Sequence, residues 1–227
     1  MSPRGTPGPR TPRRAYRRAV RDLDTVRARD PSVRSRTEAL LHPAVLAIWS
    51  HRVAHRLHRR GLRRTARLCS VLARLATGGI EIHPGATIGR GFFIDHGAGV
   101  VIGETAVIGD DVTIFHQVTL GSVGWWHDRE RGEGARRHPR VGDRVVIGAN
   151  ASLLGPITVG DDAVIGAQAL VIDDVAGRTR VLAPLARART RTAATAPGPV
   201  TRPVPVPPTA PALPRAAPAA PRSFPVW

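Results

Sequence analysis

From Ile82 onward an aliphatic residue recurs at every sixth position, and this period constrains the fold more than any other feature of the chain. Hexads begin at Ile82, Ile88 and Ile94, resume after two extra residues at Ile102, Ile108, Ile114 and Leu120, and break between 121 and 140. They return at Val141, Ile147, Leu153, Val159, Ile165 and Val171. A small residue often follows four places later (Ala86, Ala98, Ala106, Ala151, Ala163, Ala169), and Gly often comes directly after the aliphatic. This is the hexapeptide pattern of a parallel β-helix. Each hexad supplies one short strand and a turn, and three hexads close a triangular coil. The aliphatic points inward and stacks on its equivalents in the coils on either side, about 4.8 Å away. Each coil can bury its apolar column only against its neighbours.

The chain before this region has a different period. Val45, Leu46, Ile48, Trp49, Val53, Ala54 and Leu57 recur at helical intervals, as do Leu68, Val71, Leu72 and Leu75, with Gly61 between the two runs. Asp30-Pro31-Ser32 reads as a helix start. The predicted organisation has four parts. An Arg/Pro-rich tail over 1–20 lacks apolar periodicity and is expected to be disordered. An α-helical domain covers 21–78. A β-helix covers 79–185, with an inserted loop at 121–140. A Pro/Ala-rich tail over 186–227 is again expected to be disordered. Arg52, Arg56, Arg59, Arg60, Arg63 and Arg64 read as the solvated face of the helical domain rather than a membrane-surface helix.

Charge needs to be located before it is interpreted. The net charge is +17, yet 1–20 carries six Arg and no acid and 178–227 carries eight Arg and no acid. The stretch between them is close to neutral, which is the wrong distribution for a folded nucleic-acid footprint. No nucleic-acid partner is therefore expected. No run approaches the roughly 18–20 apolar residues of a membrane span, and the Pro/Arg-rich start is unlike a signal peptide. No membrane partner and a cytoplasmic location are the expectation. Cys69 is the sole cysteine, which excludes a disulfide framework and a Cys-based zinc site.

A solenoid is a scaffold, so chemistry is sought where the pattern breaks. Asp95-His96 precedes the two-residue insertion, and His116 holds the same hexad position one coil later, which places the two imidazoles about one strand spacing apart outside the apolar column. A three-histidine metal site would need His83 as its third member, and His83 holds a different hexad position. The 121–140 loop, with Trp125 and Trp126, could cover a ligand or a neighbouring subunit.

The stretch from Gly79 to Thr105, with Ile82-His-Pro-Gly-Ala86 and Ile94-Asp-His-Gly-Ala98, resembles serine O-acetyltransferases. The likeness continues through Phe115-His-Gln-Val-Thr-Leu-Gly121 and Arg137-His-Pro139, and upstream through Arg29-Asp-Pro31. It implies a mainly β fold, a left-handed parallel β-helix of hexapeptide repeats preceded by a small α-helical domain. It also implies an enzyme of cysteine biosynthesis that transfers acetyl from acetyl-CoA to the hydroxyl of L-serine without a metal. By the same resemblance His96 is the general base, Glu81 orients it, and Asp30, Asp95, Arg137 and His138 hold serine. Family members form homotrimers with acetyl-CoA between adjacent prisms. A dimer of trimers and docking of the C-terminus into O-acetylserine sulfhydrylase are further family properties; this chain ends in Trp227 where many members end in Ile.

The residue types suit that chemistry. Imidazole can take the hydroxyl proton near neutral pH, aspartates suit an ammonium, and Arg137 suits a carboxylate through a forked contact. Two alternatives stand beside this reading. One is a hexapeptide O-acyltransferase for a sugar or antibiotic hydroxyl, although a neutral acceptor would need neither charge. The other is a non-catalytic β-helix scaffold with polyanion-binding basic tails.

Overall fold

The computed structural model describes residues 12–184, except 125, 127, 129–131 and 133. The expectations for 1–11, 186–227 and Trp125 lie outside the described residues. Four helices come first: α1 (Pro12–Arg29), α2 (Arg36–Leu40), α3 (Pro43–Arg59) and α4 (Arg63–Ala76). Fourteen short strands follow, from β1 (Glu81–Ile82) to β14 (Arg180–Val181).

The strands form three parallel sheets. Sheet A runs β1, β4 (Val101–Ile102), β7 (Thr119–Gly121), β10 (Ser152–Leu154), β13 (Leu170–Val171); sheet B runs β11 (Thr158–Val159), β8 (Arg140–Val141), β5 (Val107–Ile108), β2 (Thr87–Ile88); sheet C runs β14, β12 (Val164–Ile165), β9 (Val146–Ile147), β6 (Thr113–Ile114), β3 (Phe93–Ile94). Up to β13 every third strand shares a sheet. β14 joins β12 because the sheet B position between them is only a bridge from Val175 to Val159. The chain winds a left-handed triangular prism. Register follows the hexads: Ile82 pairs with Ile102, Ile102 with Leu120, Leu120 with Leu153, and Leu153 with Val171. That column is buried throughout, as are Ala86, Ala106, Ala151 and Ala163 at the corners. Each buried aliphatic contributes roughly 1.5–3 kcal/mol relative to its exposed state.

The corners follow a second rule. Asp111, Arg144, Asp162 and Arg178 turn the sheet B to C corner in the left-handed backbone region, and Gln117, Asn150 and Gln168 turn the C to A corner in the same way. Aspartates just before the first set form a ladder along the edge. Asp110 N–H donates to Asp143 Oδ1 at 2.7 Å, and Asp143 N–H to Asp161 Oδ1 at 2.8 Å.

The helical region departs from the sequence reading in three ways. First, α1 starts at Pro12, inside the stretch expected to be disordered. Arginine is a good helix former, and buried Val26 and Asp22 fix one face, while the outward arginines hide any apolar period. Second, Asp30-Pro31-Ser32 is a turn after α1, not a helix start, because Asp30 Oδ1 accepts from Ser32 N–H at 2.9 Å and Ser32 Oγ–H at 2.6 Å. Third, Leu68, Val71, Leu72 and Leu75 of α4 are exposed rather than packed. Gly61 does separate two helices, at φ +79°.

The helices dock on the open end of the prism. First-coil N–H groups donate forward to the second coil, as Glu81 does to Val100 and His83 to Ile102, which leaves first-coil carbonyls facing outward. Side chains cover them. Ser70 Oγ–H donates to Ile82 O at 2.7 Å, and His55 Nδ1–H donates to Pro84 O at 2.8 Å. Arg29 Nη1 donates to Gly91 O at 2.9 Å. Buried acceptors of this kind are costly to leave unpaired.

Candidate active site

The first C to A corner holds six residues between Ile94 and Val101, where later corners of that edge hold four. The extra length forms a tight excursion, with Gly97 N–H donating to Asp95 O at 2.7 Å and Val100 N–H to Gly97 O at 3.1 Å. Gly97 is required there: a Cβ would lie 2.5 Å from Ile80 Cδ1, and φ is +82°. His96 sits at the tip with φ +61°, an uncommon conformation for a non-glycine residue. Its side chain is 76% exposed, with Nε2 3.9 Å from Asp95 Oδ1. The ring meets His116 edge-on at 5.9 Å, as the hexad register predicts. His116 Nδ1 is buried and unpartnered.

Asp30 reaches this edge from the helical region because Arg29 fixes the end of α1. The Arg29 guanidinium donates to Gly91 O, Val112 O, Thr113 Oγ1 and Asp111 O at 2.9–3.2 Å, which ties α1 to the first two coils. The Ser32 hydroxyl, then its N–H, hold the Asp30 carboxyl below the usual carboxylate range, helped by His42 and His96. Oδ2 faces Nε2 of His42 at 3.7 Å. His42 caps α3, its Nδ1 accepting from Ala44 N–H at 3.2 Å, so the proton of the neutral ring is on Nε2. Burial against Phe93 lowers the His42 pKa. Asp30, Asp95 and His96 are therefore brought together, with His42 and His116 beside them.

Arg137 and His138 stand on the A to B corner, across the width of sheet A from His96. Thr105 organises them: its Oγ1 accepts from Arg137 N–H at 3.0 Å and His138 N–H at 3.1 Å. His138 Nδ1 pairs with the Thr105 hydroxyl at 2.9 Å and accepts from Thr105 N–H at 3.2 Å, which leaves Nε2 as the donor. The ring lies over Gly103, where a Cβ would come within 2.0 Å of it. Burial, then the nearby Arg137 charge, lowers its pKa to about 4. Arg137 Nη2 is ion-paired with Glu104.

Glu81 behaves differently from the reading of it as the partner of His96. Its backbone adjoins the His96 excursion, since Glu81 N–H donates to Val100 O at 2.8 Å. The carboxylate, however, pairs with Arg74 at 2.9 Å and Arg67 at 3.8 Å, both on α4. His83 stands at the A to B corner, where it meets His58 edge-on at 6.0 Å, and not beside His96 and His116. In the 121–140 loop, Trp126 is exposed. Sequence reasoning missed His42, Arg29, Glu104 and Thr105. His42 left a signal in its place directly before Pro43, a residue suited to the first helical position.

Residues 138–173 match the family described as bacterial transferase hexapeptide (six repeats). The chain is 51% identical over 155 residues to a serine acetyltransferase of Mycobacterium tuberculosis, covering 68% of this chain and 64% of that relative. It is 54% identical over 154 residues to the serine acetyltransferase of Helicobacter pylori, covering 67% of this chain and 85% of that one. Among solved structures it resembles Neisseria gonorrhoeae serine acetyltransferase in complex with serine, at 37% identity and a TM-score of 0.67, covering 76% of this chain and 68% of that one.

Proposed function

The chain belongs to the serine acetyltransferase family, and from that premise we propose that it transfers the acetyl group of acetyl-CoA to the hydroxyl of L-serine. The observation that carries the reading is the exposed imidazole of His96, 3.9 Å from the carboxylate of Asp95 and near enough to Asp30 to help hold its pKa down. In this mechanism Asp30 and Asp95 hold the serine ammonium, and His96 accepts the hydroxyl proton as the serine oxygen attacks the thioester carbonyl. The carbon–sulfur bond then breaks, and the proton passes from imidazolium to the departing thiolate, giving O-acetylserine and CoA. No protein nucleophile is needed.

Arg137 and the Nε2–H of His138 suit the serine carboxylate. They occupy a different corner from His96 in the same chain, which supports a homotrimer whose neighbouring copy supplies them, with acetyl-CoA between the prisms. Glu81, one coil away from His96, is proposed to orient the imidazole once its carboxylate leaves Arg74. Among the described residues no helix is long and apolar enough to cross a membrane. A cytoplasmic place of action is proposed from the acyl donor, a thioester of the cell interior.

The test is CoA release from acetyl-CoA with L-serine, ethanolamine or 3-hydroxypropionate as acceptor. Serine alone is expected to support turnover, because each analogue lacks one of the two charges. Release that is independent of serine, or equal with a neutral sugar hydroxyl, would overturn the assignment.

A further inference from the structure

From Ala39 to Ile80 the chain carries eight arginines and no aspartate or glutamate. Most of that stretch is α3, α4 and the turn at Gly61 between them. Two acids from outside it engage three of the arginines: Asp22 pairs with Arg52, and Glu81 with Arg74 and Arg67. Arg59, Arg60, Arg63 and Arg64 are exposed around the turn. Arg63 and Arg64 stand in the first turn of α4, which has no acid and no side-chain cap. Cations there oppose the helix dipole, so the stability of the helix does not explain them.

The same helix is apolar on the side that a packed helix turns to water. α4 buries Ala66 and Ser70. At 100° per residue the opposite side carries Leu68, Val71, Leu72 and Leu75, all exposed, Leu75 to 74%. Their spacing of three and four residues joins them into one stripe, and Arg64 and Arg67 precede Leu68 and Val71 by one turn each. A groove of about 400 Å³ toward α3, lined by Leu46, Leu68 and Leu72 among others, widens the apolar surface. An outward face of this kind marks an interaction surface. Read as sequence, the arginines form a solvated face; the exposed leucines beside them change what that face can meet.

We propose that α4 lies on an anionic lipid surface, with its leucine stripe among the acyl chains and the arginines of the α3–α4 turn among the headgroup phosphates. A basic amphipathic helix matches both layers of such a surface. Charge selects this occupant. A second copy docked face to face would bring the same acid-free hairpin against itself, and like charges so placed oppose association. A nucleic acid would answer the arginines through its phosphates but would leave the leucines against a charged backbone. A fluid acyl layer needs no shape complementary to a single outward helix face. His96, Asp30, Arg137 and His138 all lie outside α4, so the proposal is independent of the acetyl-transfer reading.

The experiment is sedimentation of the full chain with vesicles of phosphatidylcholine alone or mixed equally with phosphatidylglycerol. Light scattering and CoA release are measured without lipid. Binding to the mixed vesicles is expected, with little to phosphatidylcholine, and it should weaken as salt rises. The arginine-rich termini could hold anionic vesicles by charge alone, so the Leu72→Gln/Leu75→Gln variant, which leaves the charge unchanged, decides the site. Both leucines are exposed, so Tm, kcat and mass in solution are expected to match wild type while vesicle affinity falls at least tenfold. Undiminished binding by this variant would assign the attraction to the termini. A fall in its mass in solution would make the stripe an interface between copies. Equal binding to both kinds of vesicle, or none to the mixed kind, would exclude an anionic lipid surface. Each of these results overturns the proposal.

Discussion

His42 Nε2 points at Asp30 Oδ2 across 3.7 Å, while the other nitrogen of the same ring caps α3. One side chain therefore starts a helix and faces a carboxylate of the proposed serine site. The two roles can be separated by substitution. His42→Asn keeps a capping side chain but withdraws the imidazole from Asp30, so the serine KM is expected to rise severalfold with little change in Tm. His42→Ala loses both and is expected to cost about 1 kcal/mol of stability besides. Equal serine KM values in wild type and His42→Asn would show that the ring acts only as a cap.

How far the sequence foretells this arrangement depends on the range of the interactions. The hexads place the inward column without error, because a six-residue period is a local property and every coil repeats it. The Asp95-His96 excursion and the meeting of His96 with His116 follow from counting within that period. Arg29, Glu104 and Thr105 escape such counting, since each acts on residues tens of positions away. Glu81 shows the limit well: its coil is legible, but the carboxylate's choice of Arg74 depends on how α4 is rotated against the prism. The left-handed corners at Arg144 and Gln117 are equally silent, because nothing in an Arg or Gln announces a positive φ.

The left-handed conformation of His96 affects how its role should be tested. An Ala at φ +61° would add backbone strain to the loss of the ring. His96→Asn tolerates that conformation and is the cleaner variant. It is expected to lower kcat by on the order of 10²–10⁴ with an unchanged Tm. Near-normal CoA release from the folded variant would remove His96 from the mechanism.

Glu81 has two claimants, Arg74 in this structure and His96 in the proposed mechanism. Glu81→Gln is expected to lower kcat strongly and to cost only about 1 kcal/mol of stability, because Arg74 in the pair is exposed to solvent. Arg74→Gln frees the carboxylate and is expected to hold or raise kcat. If the two variants share the same small loss of Tm and the same wild-type kcat, Glu81 serves only the ion pair.

Arg29 ties the end of α1 to four oxygens of the first two coils, and Asp30 is the next residue. Arg29→Lys keeps the charge but cannot span those acceptors. A loss of about 1–3 kcal/mol is expected from the partly buried carbonyls left unpaired. The serine KM should rise at least tenfold, with the acetyl-CoA KM much less affected. A lowered Tm with unaltered serine KM would show that Asp30 is positioned without Arg29.

Acid should destabilise the fold earlier than carboxylate protonation would require. His42, His51, His83 and His138 all have pKa values below the ordinary 6.5, chiefly through burial. As pH falls through about 6.5 the unfolded chain protonates these rings, while His138 stays neutral to about 4 and His51 to about 3. The unfolded state then binds more protons, so stability falls with pH across that window. Asp30, whose pKa is lowered, adds its own loss below the usual carboxylate range. Urea midpoints are expected to decline from pH 7 to pH 4, with a shallower slope in His51→Gln. A flat profile over that range would mean that these rings titrate as freely in the fold as out of it.

The side chains of Ser70, His55 and Arg29 that cover the first-coil carbonyls also decide where assembly stops. A parallel solenoid is polar along its axis: one end offers carbonyls and the other offers N–H groups, so two such ends are complementary. Left bare, the first coil could accept the last coil of another molecule, in the head-to-tail geometry that has no closure and grows into filaments. α3 and α4 act in this sense as a chain terminator for polymerisation, and the helical region keeps the prism a finite particle.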